Sequence, residues 1–253
     1  MAAIRRDFVP SDVAPALHDA QIDAVVAVQA SQSTAETDFL LTLAVAHAFV
    51  LGVVGWVDLQ ADNVAERVHR WRDAKALKGF RHVAQDEPDD FLSRRAIVSS
   101  VQLLGALGYS YDLLVYPRQL AAATQLVAQC PAVSFILDHC AKPPIASGDL
   151  IAWRRELADL AALPNVTCKL SGLVTEATWH DWTQDDFTPA LDTVLELFGA
   201  DRLMFATDWP VCLLSASYAQ TFEIIDRWSQ SLSESERSLV FGATAQRVYR
   251  LEK

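Results

Sequence analysis

The sequence lacks several features that would define other classes of protein. It contains no apolar run approaching the ~18 residues of a membrane span, and no apolar segment follows Arg5 and Arg6, so we expect neither a membrane protein nor a signal peptide. Basic residues are scarce, with 21 Lys and Arg against 32 Asp and Glu and a net charge of −11. Because no basic stripe is visible, nucleic-acid binding is excluded. The four cysteines have no CxxC spacing, which predicts reduced thiols and a cytoplasmic protein.

Linkers and phosphate loops are missing as well. No stretch rich in glycine, serine and proline divides the 253 residues, so we expect a single domain over residues 1–253. No glycine-rich, phosphate-binding loop follows the last strands that the sequence predicts. This absence argues against a barrel enzyme that acts on a sugar phosphate. The chain is 51% hydrophobic and long enough to bury a large core without disulfides or metals.

Short apolar runs recur about every 30 residues, each ending in a polar side chain, and this spacing matches one strand–helix unit of a barrel. Several are almost continuously apolar, which is typical of strands buried on both faces of a parallel sheet. The sequence therefore predicts an α/β fold, a TIM-like (β/α)₈ barrel. The runs span residues 24–29, 49–58, 77–82, 111–116, 134–139, 166–171 and 203–208.

Amphipathic segments between these runs predict the helices of the alternation, among them residues 36–48, 119–130 and 185–198. A further helix, residues 11–20 with Ser11 as its N-cap, precedes the first run. A helix should follow a strand in this alternation, yet residues 1–10 are not strand-like. We therefore expect the first of the eight strands to be missing and the barrel to be incomplete.

Polar residues near the carboxyl ends of the runs carry the predicted chemistry, since catalytic side chains of such barrels cluster there. Asp208 is the candidate catalytic base, because a carboxylate there can deprotonate a water or bind a metal. His139 is the second catalytic candidate, as a metal ligand or as a hydrogen-bond donor to a carbonyl oxygen. The candidates for substrate binding are Gln29, Arg81, His82, Tyr116, Lys142 and Trp209.

Alternation along a strand refines these predictions. It points Arg81 and His82 to opposite sides, and Arg81 is the natural clamp for a carboxylate or a polarised oxygen. It also points Asp138 away from His139, which favours a structural role for Asp138. The aromatic candidates suit a sugar face, although simple packing is an alternative for each.

Five segments that include these candidates resemble the amidohydrolase-2 family, in order along essentially the whole chain. They span residues 79–88, 111–120, 136–143, 168–176 and 204–212 and contain GFRH, LDHC, KLSG and ATDWP. The likeness is greatest to the sugar-lactonase branch, with its L-fuconolactonase and L-rhamnonolactonase types. It implies a TIM-like barrel that hydrolyses a small-molecule sugar lactone.

The resemblance also implies roles for individual residues. His139 matches the histidine of the sixth strand, Asp208 matches the base of the eighth strand, and Arg81 and His82 match the Gly-x-Arg-His block. Some members carry a divalent metal such as zinc, for which His139 and Asp208 would be ligands, and related lactonases act without one. The His-x-His pair that usually ends the first strand does not occur in this sequence.

Two alternatives to lactone hydrolysis remain open. A non-oxidative decarboxylase of the same superfamily would need a firmly bound metal and an acidic aromatic substrate. A truncated barrel without catalytic activity, with an oligomeric or binding role, would suit the unpaired strand edges that a missing strand leaves. The sequence leaves the oligomeric state open, with a homo-oligomer as one possibility.

Overall fold

Seven parallel strands, each hydrogen-bonded to the next in sequence, form the centre of the protein. The computed structural model describes residues 2–252. The strands are β1 (Val25–Val28), β2 (Val50–Gly55), β3 (Leu77–His82), β4 (Ser110–Leu113), β5 (Phe135–Leu137), β6 (Val166–Leu170) and β7 (Leu203–Phe205). Every predicted apolar run overlaps one of these strands, so the α/β prediction is confirmed.

Helices alternate with the strands, as the amphipathic segments predict. They are α1 (Pro10–Asp19), α2 (Thr34–Ala46), α3 (Val64–His69), α4 (Arg95–Ala106), α5 (Leu120–Gln129), α6 (Ile151–Ala161), α7 (Gln184–Phe198), α8 (Tyr218–Trp228), α9 (Glu234–Ser238) and α10 (Thr244–Tyr249). Helix α9 begins with a capping box of Ser233 and Glu236. No helix among residues 2–252 is long and apolar enough to span a bilayer.

The sheet curls into an incomplete TIM-like barrel. Its strand order is β1 to β7 without interruption, and within residues 2–252 strands β1 and β7 form its two edges. The main apolar core lies between the sheet and the helices, and a second cluster of Val54, Ile136, Met204 and Tyr249 fills the inside of the curled sheet. The fold therefore places the carboxyl ends of all seven strands along one rim.

The predicted N-cap of the first helix is wrong by two residues. Helix α1 begins at Pro10, and Val9 rather than Ser11 is its N-cap. The backbone N–H of Val9 donates to the Asp12 carboxylate over 2.8 Å. Because Asp12 reaches back in this way, and proline favours the first position of a helix, the helix starts earlier than serine alone suggests.

Candidate active site

The two predicted catalytic side chains meet at the rim of the curled sheet. His139 follows β5 and Asp208 follows β7, and the Nε2 atom of His139 lies 3.7 Å from Oδ1 of Asp208. About a tenth of the histidine side chain and 21% of the aspartate side chain remain exposed. The pair is therefore partly shielded but still open to a small molecule.

A left-handed turn aims the imidazole of His139 at this position. The backbone φ angles are 53° at His139, 52° at Cys140, 55° at Ala141 and 54° at Lys142. This conformation costs roughly 1–2 kcal/mol per residue for side chains other than glycine. The Nε1–H of Trp153 stabilises the turn by donating to the carbonyl of Cys140 over 2.8 Å. Such strain is typical of functional sites.

Ser171 and Gly172, which follow β6, contact the other side of the imidazole. The Oγ atom of Ser171 lies 2.8 Å from Nδ1 of His139. Gly172 has a φ of +64°, and a Cβ atom there would lie 2.6 Å from Cγ of His139. Glycine is thus needed both for the backbone conformation and for the space that the ring occupies.

We expect Gly172→Ala to destabilise the fold more than Gly148→Ala does. Both glycines have positive φ, +64° and +70°, but no atom lies within 4 Å of a Cβ at Gly148. The left-handed conformation alone costs about 1–2 kcal/mol, and crowding against His139 adds about 1–3 kcal/mol. Urea denaturation of the two variants measures the difference. Equal losses would show that the imidazole is not held against Gly172.

A network of buried charges lies inside the curled sheet below the His139–Asp208 pair. Arg81 Nη1 donates to Asp138 over 2.7 Å, and Lys169 Nζ lies 2.6 Å from both Asp138 and Asp112. The hydroxyl of Tyr249, at the end of α10, donates to Asp112 over 2.7 Å. The formal charges of the two cations and two carboxylates cancel, as burial of charge requires.

The partners in this network set its protonation states. Burial opposes the charge of Asp138, but Lys169 and Arg81 outweigh it and hold the pKa of this carboxyl well below its usual range. Burial likewise opposes the charge of Lys169, and the carboxylates of Asp112 and Asp138 outweigh it and raise the pKa of the ammonium group. The Arg81 pKa is raised in the same way, with Asp138 outweighing burial. Asp138, Lys169 and Arg81 are therefore charged at neutral pH.

Strand alternation does not extend to Asp138, because β5 ends at Leu137. The buried ion pairs of Asp138 with Arg81 and Lys169 nevertheless agree with a structural role. In the left-handed turn that follows, the carboxylate of Asp138 contacts Arg81 inside the sheet while the imidazole of His139 reaches Asp208.

Gln29, a predicted substrate ligand, also contacts Arg81. Its amide donates to the Arg81 carbonyl over 3.1 Å, and its carbonyl oxygen accepts from Arg81 Nη2 over 3.2 Å.

His82 lies in a different environment from Arg81, as strand alternation predicts. Its Nδ1 accepts from Trp56 Nε1 over 3.3 Å, and its Nε2 lies 2.9 Å from Glu87. The ring also stacks on Phe91 with a centroid distance of 4.7 Å. Both ring nitrogens of His82 are therefore engaged by protein groups.

The remaining candidates lie on the loops at the rim. The Lys142 ammonium is 4.9 Å from the centre of the Tyr116 ring and 3.4 Å from Glu176. Trp209 directly follows Asp208, and its ring packs edge-on against Phe8 at 5.3 Å. Tyr116 and Lys142 therefore form one cluster on the loops. Trp209 lies apart from that cluster and is the sequence neighbour of Asp208.

A cavity of about 470 Å³ opens between the loops that follow β6 and β7. Its lining includes His180 and Trp182 from the first loop and Ser215, Ser217 and Gln220 after the second. The Nε1–H of Trp182 donates to the Ser215 hydroxyl over 3.2 Å and connects the two loops. The cavity is at the same rim as the His139–Asp208 pair, and its size suits a small molecule.

Burial keeps Cys130 and Cys212 in the unreactive thiol form. All four thiols are free and buried. Burial raises the pKa of Cys130 to about 11 and the pKa of Cys212 to about 12. Because the thiolate is the reactive form, these side chains are inert at neutral pH.

The donor set of the described residues does not fit a zinc ion. Zinc takes three or four protein ligands, whereas His139 and Asp208 are two. Among residues 2–252 no group of three His, Cys, Asp or Glu side chains is arranged to hold a metal.

Several residues of the site could not be assigned a role from the sequence. They are Asp112, Lys169, Ser171, Glu176 and Tyr249. Charged side chains in the apolar strands β4 and β6 were the available signal for Asp112 and Lys169, because such groups are buried only when they are paired. Nothing in the sequence indicates which side chains pair with them.

Comparisons with known proteins agree with this architecture. A family model described as amidohydrolase matches residues 2–251. An L-fucono-1,5-lactonase of Burkholderia multivorans is 44% identical over 99% of this chain and 88% of its own length, and one of Burkholderia ambifaria is 37% identical over the same shares. A crystal structure of an amidohydrolase from Burkholderia multivorans with bound zinc superposes with a TM-score of 0.96 at 44% identity, covering 100% of this chain and 92% of that one.

Proposed function

Because this chain belongs to the amidohydrolase family, whose members are hydrolytic enzymes, we propose that it opens the lactone of a sugar acid, with L-fucono-1,5-lactone as the substrate to test first. Two relatives carry the name of that activity. The observation that carries the proposal is the approach of His139 and Asp208 to 3.7 Å at the open rim of the curled sheet. A base and a hydrogen-bond donor at this separation fit hydrolysis of an ester carbonyl.

Asp208 is the base in this proposal. Its carboxylate, 21% exposed, takes a proton from a water molecule as that water attacks the carbonyl carbon of the lactone. A new carbon–oxygen bond forms, and the carbonyl oxygen becomes a tetrahedral oxyanion. The Asp208 carboxyl group then holds the transferred proton.

His139 and Arg81 stabilise the charge on that oxyanion. The imidazole donates a hydrogen bond from Nε2, the nitrogen that faces Asp208. The guanidinium of Arg81 is held by Asp138 and Gln29, and its positive charge acts on the same region. Preorganised donors of this kind each contribute about 2.7–4 kcal/mol to transition-state stabilisation.

Collapse of the tetrahedral intermediate opens the ring. The ring carbon–oxygen bond breaks, the carbonyl reforms as a carboxylic acid, and the ring oxygen leaves as an alkoxide. Asp208 returns its proton to that alkoxide, which regenerates the carboxylate. The product is the open-chain hydroxy acid, which ionises in water.

Sugar hydroxyls would be recognised by the loops at the rim. Tyr116 and Trp209 offer aromatic faces for the sugar ring, and Lys142, which is close to Glu176, offers a hydrogen-bond donor. For Gln29 and His82, whose polar atoms bind protein partners, substrate contact stays a prediction.

The proposal is tested by incubating the purified chain with L-fucono-1,5-lactone and following acid release with a pH indicator. We expect ring opening well above the uncatalysed rate. In a separate assay with an aromatic acid such as a hydroxybenzoate, we expect no CO₂ release. CO₂ release without lactone opening would favour the decarboxylase alternative. Absence of both activities across a panel of sugar lactones would favour the catalytically inert alternative.

A further inference from the structure

Within residues 2–252 the Ser171 hydroxyl group has one hydrogen-bond partner, which is the candidate catalytic histidine. The side chain lies directly after β6, is 2% exposed, and places Oγ 2.8 Å from Nδ1 of His139. No other hydrogen bond of this hydroxyl occurs within residues 2–252. The imidazole of His139 is therefore the group on which the Ser171 hydroxyl can act.

The direction of this hydrogen bond follows from the donors and acceptors present. If Nδ1 carried the proton, it would donate to Oγ and leave the buried Ser171 hydroxyl without an acceptor for its own proton. An unsatisfied buried donor costs about 1–3 kcal/mol. If the hydroxyl donates instead, Nδ1 accepts and both groups are satisfied. A neutral imidazole with an accepting Nδ1 carries its proton on Nε2.

The other side of the ring supports the same assignment independently. Nε2 faces Oδ1 of Asp208 at 3.7 Å. A lone pair on Nε2 would repel this carboxylate, whereas an N–H group is attracted to it. At 3.7 Å the contact is too long for a hydrogen bond, so the N–H remains available to a ligand. Gly172 leaves room for the ring in this orientation, because a Cβ atom there would lie 2.6 Å from Cγ of His139.

We infer that Ser171 is a positioning residue that holds His139 in the Nε2–H tautomer, with the N–H directed at the reacting carbonyl. This inference rests on the proposed lactone hydrolysis, in which His139 donates a hydrogen bond and Asp208 acts as the base. Ser171 contacts His139, and His139 in turn contacts the substrate. Its effect on catalysis is therefore through the proton position on the imidazole.

The direct test is a series of nitrogen NMR spectra of protein labelled with ¹⁵N-histidine, recorded at increasing pH until the His139 shifts no longer change. His139 is assigned by comparison with His139→Gln. We expect the shifts of the Nε2–H tautomer in the wild type and in Ser171→Thr, which retains the hydroxyl. In Ser171→Ala we expect a mixture of the two tautomers.

A kinetic test uses the same variants. We expect Ser171→Ala to lower kcat by about 10–100-fold, less than loss of a whole oxyanion donor. KM should change less than 3-fold, because the Nε2–H group that Ser171 maintains acts on the oxyanion of the transition state. Ser171→Thr should recover most of the rate. An Nδ1–H tautomer in the wild type, or an unchanged tautomer in Ser171→Ala, would overturn the inference. If no lactone is hydrolysed at all, the proposed function fails while the NMR result still decides the role of Ser171.

Discussion

Replacing Asp208 by asparagine is expected to lower kcat for lactone opening by about 10²–10⁴-fold, the usual contribution of a positioned general base. The amide is nearly isosteric with the carboxylate but cannot accept the proton of the attacking water. The fold should be little affected, since this side chain is partly exposed and its contact with His139 is longer than a hydrogen bond. Steady-state kinetics and a thermal melt of the same preparation measure both effects.

The matched control is Asp201→Asn, at the opposite end of the same strand. Asp201 precedes β7 and is exposed, whereas Asp208 follows that strand at the rim. The same chemical change at Asp201 should leave kcat within about 2-fold. Lactone opening at the wild-type rate in Asp208→Asn would show that another group activates the water.

Replacing Lys169 by methionine is expected to destabilise the protein by about 3–5 kcal/mol, the usual cost of removing one partner of a buried ion pair. The apolar side chain fills a similar volume but leaves two buried carboxylates without the ammonium that lies 2.6 Å from each. Arg81 still binds Asp138, and Tyr249 still donates to Asp112. The neutral hydroxyl of Tyr249 cannot balance the charge of Asp112, so the free energy of unfolding falls.

Two further variants separate burial from simple loss of an ion pair. Arg154→Met breaks a contact with Glu196 that has the same 2.6 Å length but lies on the exposed surface, and we expect a loss of at most about 1 kcal/mol. Lys169→Met combined with Asp112→Asn removes one of the uncompensated charges and should be more stable than Lys169→Met alone. Urea denaturation midpoints with unchanged m-values report these differences. Equal losses for Lys169→Met and Arg154→Met would contradict the role of burial.

The positions of the strands could be predicted because a strand that is buried on both faces forms a short run of mainly apolar residues in the sequence. A strand covered by helices and by the barrel interior is largely apolar, and the run at residues 49–58 contains the wholly apolar strand β2. The ends were less predictable. The run at residues 134–139 predicts a longer strand than Phe135–Leu137, because apolarity alone does not record where the backbone leaves the sheet.

The meeting of His139 and Asp208 could also be anticipated before any coordinates. Parallel strands joined by helices bring their carboxyl ends to one rim, so polar residues that end two strands far apart in the chain approach each other. The barrel rule supplies this proximity from topology alone, without knowledge of side-chain packing. The separation of 3.7 Å between the two side chains is the outcome of that topology and of the turns that follow β5 and β7.

The partners of these groups could not be anticipated. Tyr249 is 137 residues from Asp112 along the chain, and their hydrogen bond depends on where α10 packs against the sheet. The orientation of His139 depends on four consecutive left-handed residues, a conformation that their side-chain types disfavour. Local propensity contains no information on a conformation that distant groups such as Trp153 stabilise.

Sequence alone therefore determined the alternation of strands and helices, the absence of a disulfide framework and the two side chains that meet at the rim. These follow from hydrophobic periodicity and from the order of the elements, which are properties of the chain itself. Tertiary structure decided which charges neutralise each other, which nitrogen of His139 faces Asp208, and why Gly172 must lack a side chain. Those depend on distances of a few ångströms between segments remote in sequence, and such distances are set when the curled sheet is packed.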